Sequence, residues 1–387
     1  MRRRLFCTAT VGTLLFSAVV GAQRTGTAAP TRAAPSGVSS LEALSTAEFA
    51  RLVDSLSEPG GYFDTDNLIS NEASYLHVTG ALARMGVRGG AYIGVGPDQS
   101  FSYIASTRSE VAFIVDIRRD NLLQHLLFKA LFAASRTRAD YLALLLGMPI
   151  TTDARALADR SVADLVSLLD TLPPTLASRV HARDAVRARV RMFGVPLSPD
   201  DLATIDRFHG EFMSAGLDLR FASAGRAPRP YYPTLRDLIL ETARESRQSG
   251  YLASEADFQY VKELQRRNLI IPVVGDLGGT RALQRIGGLL RDRGLEVSVL
   301  YASNAEDYVM RDSKFGRYVA NVQALPRSER SVIVRSWFGG PGTHPHSVPG
   351  YFSTQLVQTI DAFSAATSVG GVYSYRQLVF TAHIQPR

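Results

Sequence analysis

"AYIGVGPDQSFSYIA" (residues 91–105) poses the fold question for this chain. A short apolar run, Ala91 to Val95, passes into the bend Gly94-Val95-Gly96-Pro97-Asp98-Gln99 and then into a helical stretch. In doubly wound α/β sheets such a unit carries backbone close to a ligand at the carboxyl end of a strand. A helix opening just after the bend adds free N–H groups and a positive dipole end. Gly94 and Gly96 meet that demand. The third glycine of G-x-G-x-x-G is missing, and Gln99 stands in its place. A plain turn between two elements is the competing reading of the same residues.

The next run, "EVAFIVDI" (110–117), is short and β-branched, which suits a strand. It ends at Asp116, 22 residues past Gly94. A carboxylate at about that spacing is where a ribose hydroxyl would be held. The alternative is that Asp116 caps the following helix or pairs with Arg118 or Arg119. "DNLLQHLLFKALFAAS" (120–135) has apolar residues at helical spacing. Residues 136–266 read as mostly helical, with Ser198 and Ser254 as N-caps. The strand and helix rhythm then returns. Strands are expected at 268–276, 295–304, 331–337 and 378–384, with helices at 280–294 and 353–366. Apolar runs without strict alternation suit parallel strands buried on both faces. The fold class expected is α/β, a doubly wound, mostly parallel sheet with a helical insertion at about 136–266.

The order "YIGVGPDQ … AFIVDIRRDNLLQHLLF … IIPVVGDLGG … VSVLYASN" resembles the S-adenosylmethionine-dependent methyltransferase fold of Rossmann type. From about Gly60 onward the chain also resembles a group of uncharacterised bacterial exported proteins with such a core. The resemblance implies S-adenosylmethionine as cofactor, with Gly94, Gly96, Asp98 and Gln99 in the first loop and Asp116 on the ribose. It implies Asp276 as the acid ending the fourth strand and Asn304 at the end of the next. These two are the candidate catalytic positions, acting by positioning an acceptor. The chain departs from the family at the missing third glycine. It also lacks an Asn/Asp-Pro-Pro-Tyr type motif, and its insertion falls where a third strand is expected. The rival class is a non-catalytic exported ligand-binding protein that keeps the fold without the chemistry.

Address and composition bear on that choice. Arg2, Arg3 and Arg4 precede an apolar stretch, and Val20-Gly21-Ala22 offers small residues for cleavage, so residues 1–22 read as a secretory signal peptide. An uncleaved anchor is the alternative. Residues 23–40 read as a disordered linker, and the domain is expected over 41–387. Export places the protein in the periplasm or outside the cell, away from cytosolic S-adenosylmethionine. The single cysteine, Cys7, lies in the signal, so neither disulfide nor thiol chemistry is expected. The formal net charge is +7, and loss of the three early arginines leaves 40 basic against 36 acidic side chains. No basic run of nucleic-acid type remains, and no second apolar stretch is long enough for a membrane span. The expected partner is a small-molecule ligand.

Three polar clusters need a role. "GYFDTDNLISNE" (61–72) is either a flap over the cleft or a capped entry to a helix. "YASNAEDY" (301–308) follows a strand and places one or two polar groups at its exit. His344 and His346 form a His-x-His pair without a third ligand at local spacing, so a surface turn is expected there and no metal.

Overall fold

The computed structural model describes residues 41–387 apart from 66, 150–153, 224–228, 246, 341, 369–370, 382 and 384–387. The expected signal peptide and linker lie outside the described residues. Six strands form one sheet: β1 (Ala91–Gly94), β2 (Val111–Asp116), β3 (Ile270–Val274), β4 (Val297–Ser303), β5 (Arg327–Trp337) and β6 (Thr354–Thr359). Their spatial order is β3-β2-β1-β4-β5-β6. All neighbours are parallel except β5 and β6, which are antiparallel. The fold is therefore α/β with a mostly parallel sheet. β1 pairs with β2 on one side and β4 on the other, so the strand order reverses there. In open α/β sheets the crevice for a ligand lies at that reversal, beyond the carboxyl ends.

Fifteen α-helices are present among the described residues. α1 (Thr46–Leu56) and α2 (Thr79–Arg84) precede the sheet, and α3 (Gln99–Thr107) joins β1 to β2. Between β2 and β3 come α4 (Arg119–Ala134), α5 (Arg138–Leu146), α6 (Val162–Thr171), α7 (Leu176–Val190), α8 (Pro199–Ala215), α9 (Leu235–Leu240) and α10 (Glu255–Arg266). α11 (Ala282–Asp292) joins β3 to β4. α12 (Ala305–Arg311) and α13 (Phe315–Gln323) lead to β5, and α14 (Ile360–Ser368) and α15 (Tyr375–Val379) follow β6. Local chemistry starts many of them. Ser45 accepts from the Glu48 amide while Glu48 reaches back to the Ser45 amide. Ser161, Ser198 and Thr234 do the same for α6, α8 and α9.

The strands nearest the reversal carry the centre of the core. Ala91, Tyr92, Ile93, Phe113, Ile114 and Val115 are buried, as a parallel sheet covered on both faces requires. α4 is buried almost all round because β2 and β3 lie against one side and α7 and α8 against the other.

Three expectations are corrected. Residues 354–359 form the antiparallel edge strand β6, and only 360–368 are helical, where one helix over 353–366 was expected. Leu356, Val357, Ile360 and Phe363 have helical spacing, but pairing of Thr354–Thr359 with β5 decides the first half. The expected strand at 378–384 is not formed by its described residues. Ser374 caps α15, which carries Leu378 and Val379 into the core, and β6 already occupies the edge of β5; residues 382 and 384 lie outside the described residues. Finally, the strand at 270–274 is the third and sits at the sheet edge beside β2. Asp276 thus follows the third strand, not the fourth, and the fourth ends at Ser303 before Asn304.

Candidate functional site

A cleft of about 300 Å³ opens at the carboxyl ends of β1, β2, β3 and β4. Gly96, Gln99, Asp116, Asp276 and Asn304 all line it. The sheet reversal brings the bend after β1 and the acid ending β2 to one hollow, because parallel pairing sets Gly94 beside Ile114.

Gly94 and Asp98 do not line the cleft. A side chain at Gly94 would meet the buried Tyr92 ring at 2.4–2.6 Å, so packing requires that glycine. Gly96 has φ +80°, where glycine is free of strain, and a Cβ there would lie 2.9 Å from the Gln99 amide nitrogen. His125 on α4 holds this bend, its Nε2–H donating to Gly96 O at 2.9 Å. Burial pushes the imidazole down to about 4, so the neutral ring keeps that donor at physiological pH. Sequence reasoning passed over His125. The signal available was a lone imidazole among the leucines of α4.

Asp116 is paired with Arg118, as one of its two sequence readings had it. Oδ1 accepts from Arg118 Nε at 3.0 Å and from the Arg118 amide at 2.9 Å, and Oδ2 accepts from Nη2 at 2.9 Å. Arg118 Nη1 also donates to Thr65 O at 2.6 Å. A carboxylate has about four acceptor sites, so one on Oδ2 is unfilled among the described residues, on a side chain that lines the cleft. Asp276 is engaged through both oxygens. Oδ1 accepts from the Gly278 amide and Oδ2 from Lys314 Nζ, each at 2.8 Å. Asn304 is the residue just before α12, and its Oδ1 is 3.4 Å from the Ser303 hydroxyl.

The loop 57–74 runs across the carboxyl edge and is tied at both ends. The Glu58 amide donates to Val274 O at 3.0 Å and the Gly61 amide to Ile117 O at 2.7 Å. Gln124 Nε2 donates to Leu68 O at 2.6 Å, and Ser74 Oγ to Ser353 O at 2.8 Å. Phe63 meets Tyr308 of α12 edge-on at 5.0 Å, and both line the cleft. The cleft-lining reading of this loop has a counterpart in Tyr62, Asp64, Asn67, Asn71 and Glu72, which line the cleft. The capped helix entry does not: Ser70 Oγ accepts from the Glu72 amide in a turn, and the first helical turn starts only at Tyr75, without a side-chain cap. Glu72 is buried, and its carboxylate accepts from Tyr301 OH at 2.6 Å, Gln355 Nε2 at 2.7 Å and the Ser303 hydroxyl. Ser303 adopts φ +52°, a left-handed conformation uncommon for serine, at the end of β4.

Asp98 lines a separate cavity of about 20 Å³ and accepts from Tyr251 OH at 3.1 Å. Burial raises its carboxyl to about 6, against the hydrogen bond from Tyr251. The folded protein therefore keeps a proton that the unfolded chain loses as pH rises from about 4 to 6. Stability from this group is complete below pH 4 and falls across that window. At 1.36 kcal/mol per unit the ceiling is about 3 kcal/mol, less for the part of Asp98 that stays exposed. Asp98→Asn is expected to raise urea stability by about 1–3 kcal/mol at pH 7.5 and to leave it unchanged at pH 3.5. An equal gain at both pH values would contradict a buried, titrating carboxyl.

His344 is buried, with Nε2–H donating to Val379 O at 2.9 Å and Nδ1 accepting from the His346 amide at 3.1 Å. Both ring nitrogens are thus engaged. Among the described residues no cluster of three or more His, Cys, Asp or Glu could hold a metal ion. No helix among them is long and apolar enough to cross a membrane.

An α/β protein with a polar cleft at its strand-order reversal is the class that these features define. The chain belongs to the family described as Domain of unknown function (DUF7790), whose model matches residues 68–160 and 225–386. Glu72, Gly96, Asp116, Asp276 and Asn304 fall inside the matched blocks, and α6, α7 and α8 fall between them. No curated protein matches the chain.

Proposed function

We propose that the cleft binds a nucleoside-type ligand and that the protein is a methyltransferase-like member of the Rossmann class, with S-adenosylmethionine as the ligand to test first. The observation that carries this reading is the meeting of Gly96 and Asp116 at one hollow where the strand order reverses. The parallel order β3-β2-β1-β4-β5 with an antiparallel last strand supports it. So does the size of the cleft, which is at the small end of the range for small-molecule sites. The residues fit the group: Gly96 leaves room for close approach, and the unfilled site on Asp116 Oδ2 accepts a ribose hydroxyl. S-adenosylmethionine would supply the methyl group. The chain would bind it and hold an acceptor near Asn304, which is catalysis by orientation.

Thermal shift with S-adenosylmethionine, S-adenosylhomocysteine and NAD tests the reading. A ligand at a hundred times its Kd stabilises the native state by about 2.7 kcal/mol, a shift of several degrees. Asp116→Ala is expected to remove the rise. Unmoved melting with all three compounds would end the nucleoside reading.

Binding without chemistry is a second reading, favoured by the state of Asp276. Its carboxylate anchors the Gly278 turn and is ion-paired with Lys314, a structural role that does not call for a substrate. Export, if it occurs, favours the same reading. A thermal shift without methyl transfer to any acceptor tried is what it expects.

A further inference from the structure

Four carboxylates among the described residues are buried: Glu72, Asp140, Asp201 and Glu306. Asp140 holds Arg136, Asp201 holds Arg119, and Glu306 holds Arg335. Glu72 differs. Its partners are the phenol of Tyr301, the hydroxyl of Ser303 and the amide of Gln355, all neutral. A buried carboxylate without a counter-charge is costly, and the cost falls when a cation arrives. Glu72 is also the one of the four that lines the cleft.

From these contacts we infer that Glu72 is the counter-charge for a protonated amine carried by the ligand. This inference deepens the ligand-binding reading of the same cleft and rests on it.

The hydrogen-bond geometry calls for a donor. Oε2 accepts from two groups and Oε1 from one, so one acceptor site remains on Oε1. Tyr301 has a single proton and gives it to Glu72. Burial first, and the charge of Glu72 second, push that phenol well above its ordinary range, so it remains a donor. Gln99 must then present its NH2 to Tyr301 oxygen, at 3.4 Å. That orientation leaves Gln99 Oε1 buried without a donor, on a side chain that also lines the cleft. Two acceptors on one wall lack protons, and an ammonium group carries three. Charge agrees. Asp64, Glu72, Asp116, Asp276 and Asp312 line the cleft; Arg118 pairs with Asp116 and Lys314 bridges Asp276 and Asp312, which leaves the described lining acidic on balance although the whole chain is basic. An excess of one sign of charge in a cleft concentrates ligands of the other. The left-handed Ser303 places its hydroxyl on Glu72, and backbone strain of this kind gathers at functional sites.

Two matched pairs of probes test the inference on the whole chain. Putrescine and 1,4-butanediol share a length and differ in charge. S-adenosylhomocysteine and methylthioadenosine share the nucleoside and differ in the amino-acid end, which brings an ammonium and a carboxylate; only the ammonium's share should depend on Glu72. Putrescine is expected to raise the melting temperature of the wild type, and 1,4-butanediol to leave it alone. S-adenosylhomocysteine is expected to bind at least tenfold more tightly than methylthioadenosine. Glu72→Gln should erase the first difference, narrow the second and keep the affinity for methylthioadenosine. Equal effects of amine and diol in the wild type, or an amine preference that survives in Glu72→Gln, overturn the inference. If both nucleosides fail while putrescine acts, the nucleoside reading falls and the counter-charge stands. If both nucleosides bind equally, the reverse holds. Should Glu72→Gln not fold, Asn304→Lys places a cation at the same rim and is expected to abolish the putrescine effect; persistence of that effect overturns the inference as well.

Discussion

Arg335→Met is expected to lower stability by about 3–5 kcal/mol, the usual loss when one partner of a buried ion pair is removed. Arg335 on β5 and Glu306 on α12 are both fully buried and hydrogen-bonded to each other. Arg335 Nη1 donates to Gln358 at 2.8 Å, and Tyr318 OH donates to Glu306 at 2.7 Å. The guanidinium also lies 5.3 Å from the Phe363 ring centre. Removing it leaves the Glu306 charge in an apolar interior with a single phenol to stabilise it. Arg335→Met/Glu306→Gln should recover most of the loss, because the penalty comes mainly from the stranded charge. Urea unfolding of the wild type, the single and the double variant makes the comparison. A single variant within 1 kcal/mol of wild type would show that water reaches the pair. The consequence extends to function. Glu306 follows Asn304 and Ala305 in the cleft wall, and Arg335 pairs in register with Ser303. The single variant should therefore also loosen the wall that holds Ser303 against Glu72.

The same pair shows which parts of the molecule can be read along the chain and which cannot. β1 and β2 are apolar runs with no alternation, and burial on both faces demands that pattern, so they and the bend between them are legible. Gly96 and Asp116 belong to that local pattern, and the sheet delivers them to one cleft. β6 was not legible because two of its buried positions, one on each face, are glutamines. Gln355 serves Glu72 and Gln358 serves Arg335, and a buried amide looks like a surface residue until its partner is known. Glu72 hides for the same reason. Its partners lie 229, 231 and 283 residues away, and nothing near it in sequence announces a buried acid. Asp276 was legible as a residue at a strand exit but not as the exit of the third strand. Strand numbering depends on where the insertion falls, and six helices from α5 to α10 precede β3.

Lys129→Met is expected to stabilise the protein near neutral pH by roughly 2–4 kcal/mol, the release of a desolvated ammonium less one lost hydrogen bond. Lys129 sits on α4 among leucines and phenylalanines and is buried. Its ammonium donates to Gln265 O and lies 4.7 Å and 5.3 Å from the ring centres of Phe49 and Phe193. No carboxylate pairs with it among the described residues, and burial alone pushes the amine down to about 7. The unfolded chain takes up this proton as pH falls through about 10.5, whereas the folded chain waits until about 7. Between these values each unit of pH lost favours unfolding by about 1.36 kcal/mol. Below pH 7 the penalty is complete and constant, at about 5 kcal/mol before the interactions with Gln265, Phe49 and Phe193 are counted. Above pH 10.5 it vanishes. The gain from Lys129→Met should therefore be largest at pH 6 and shrink steadily up to pH 10, where the lost hydrogen bond makes the variant no better than wild type. Difference curves of urea stability against pH isolate this group, because other titrations are common to both proteins. A gain that does not vary between pH 6 and pH 10 would mean that Lys129 keeps its proton in the fold throughout. The aromatic contacts, not desolvation, would then govern it.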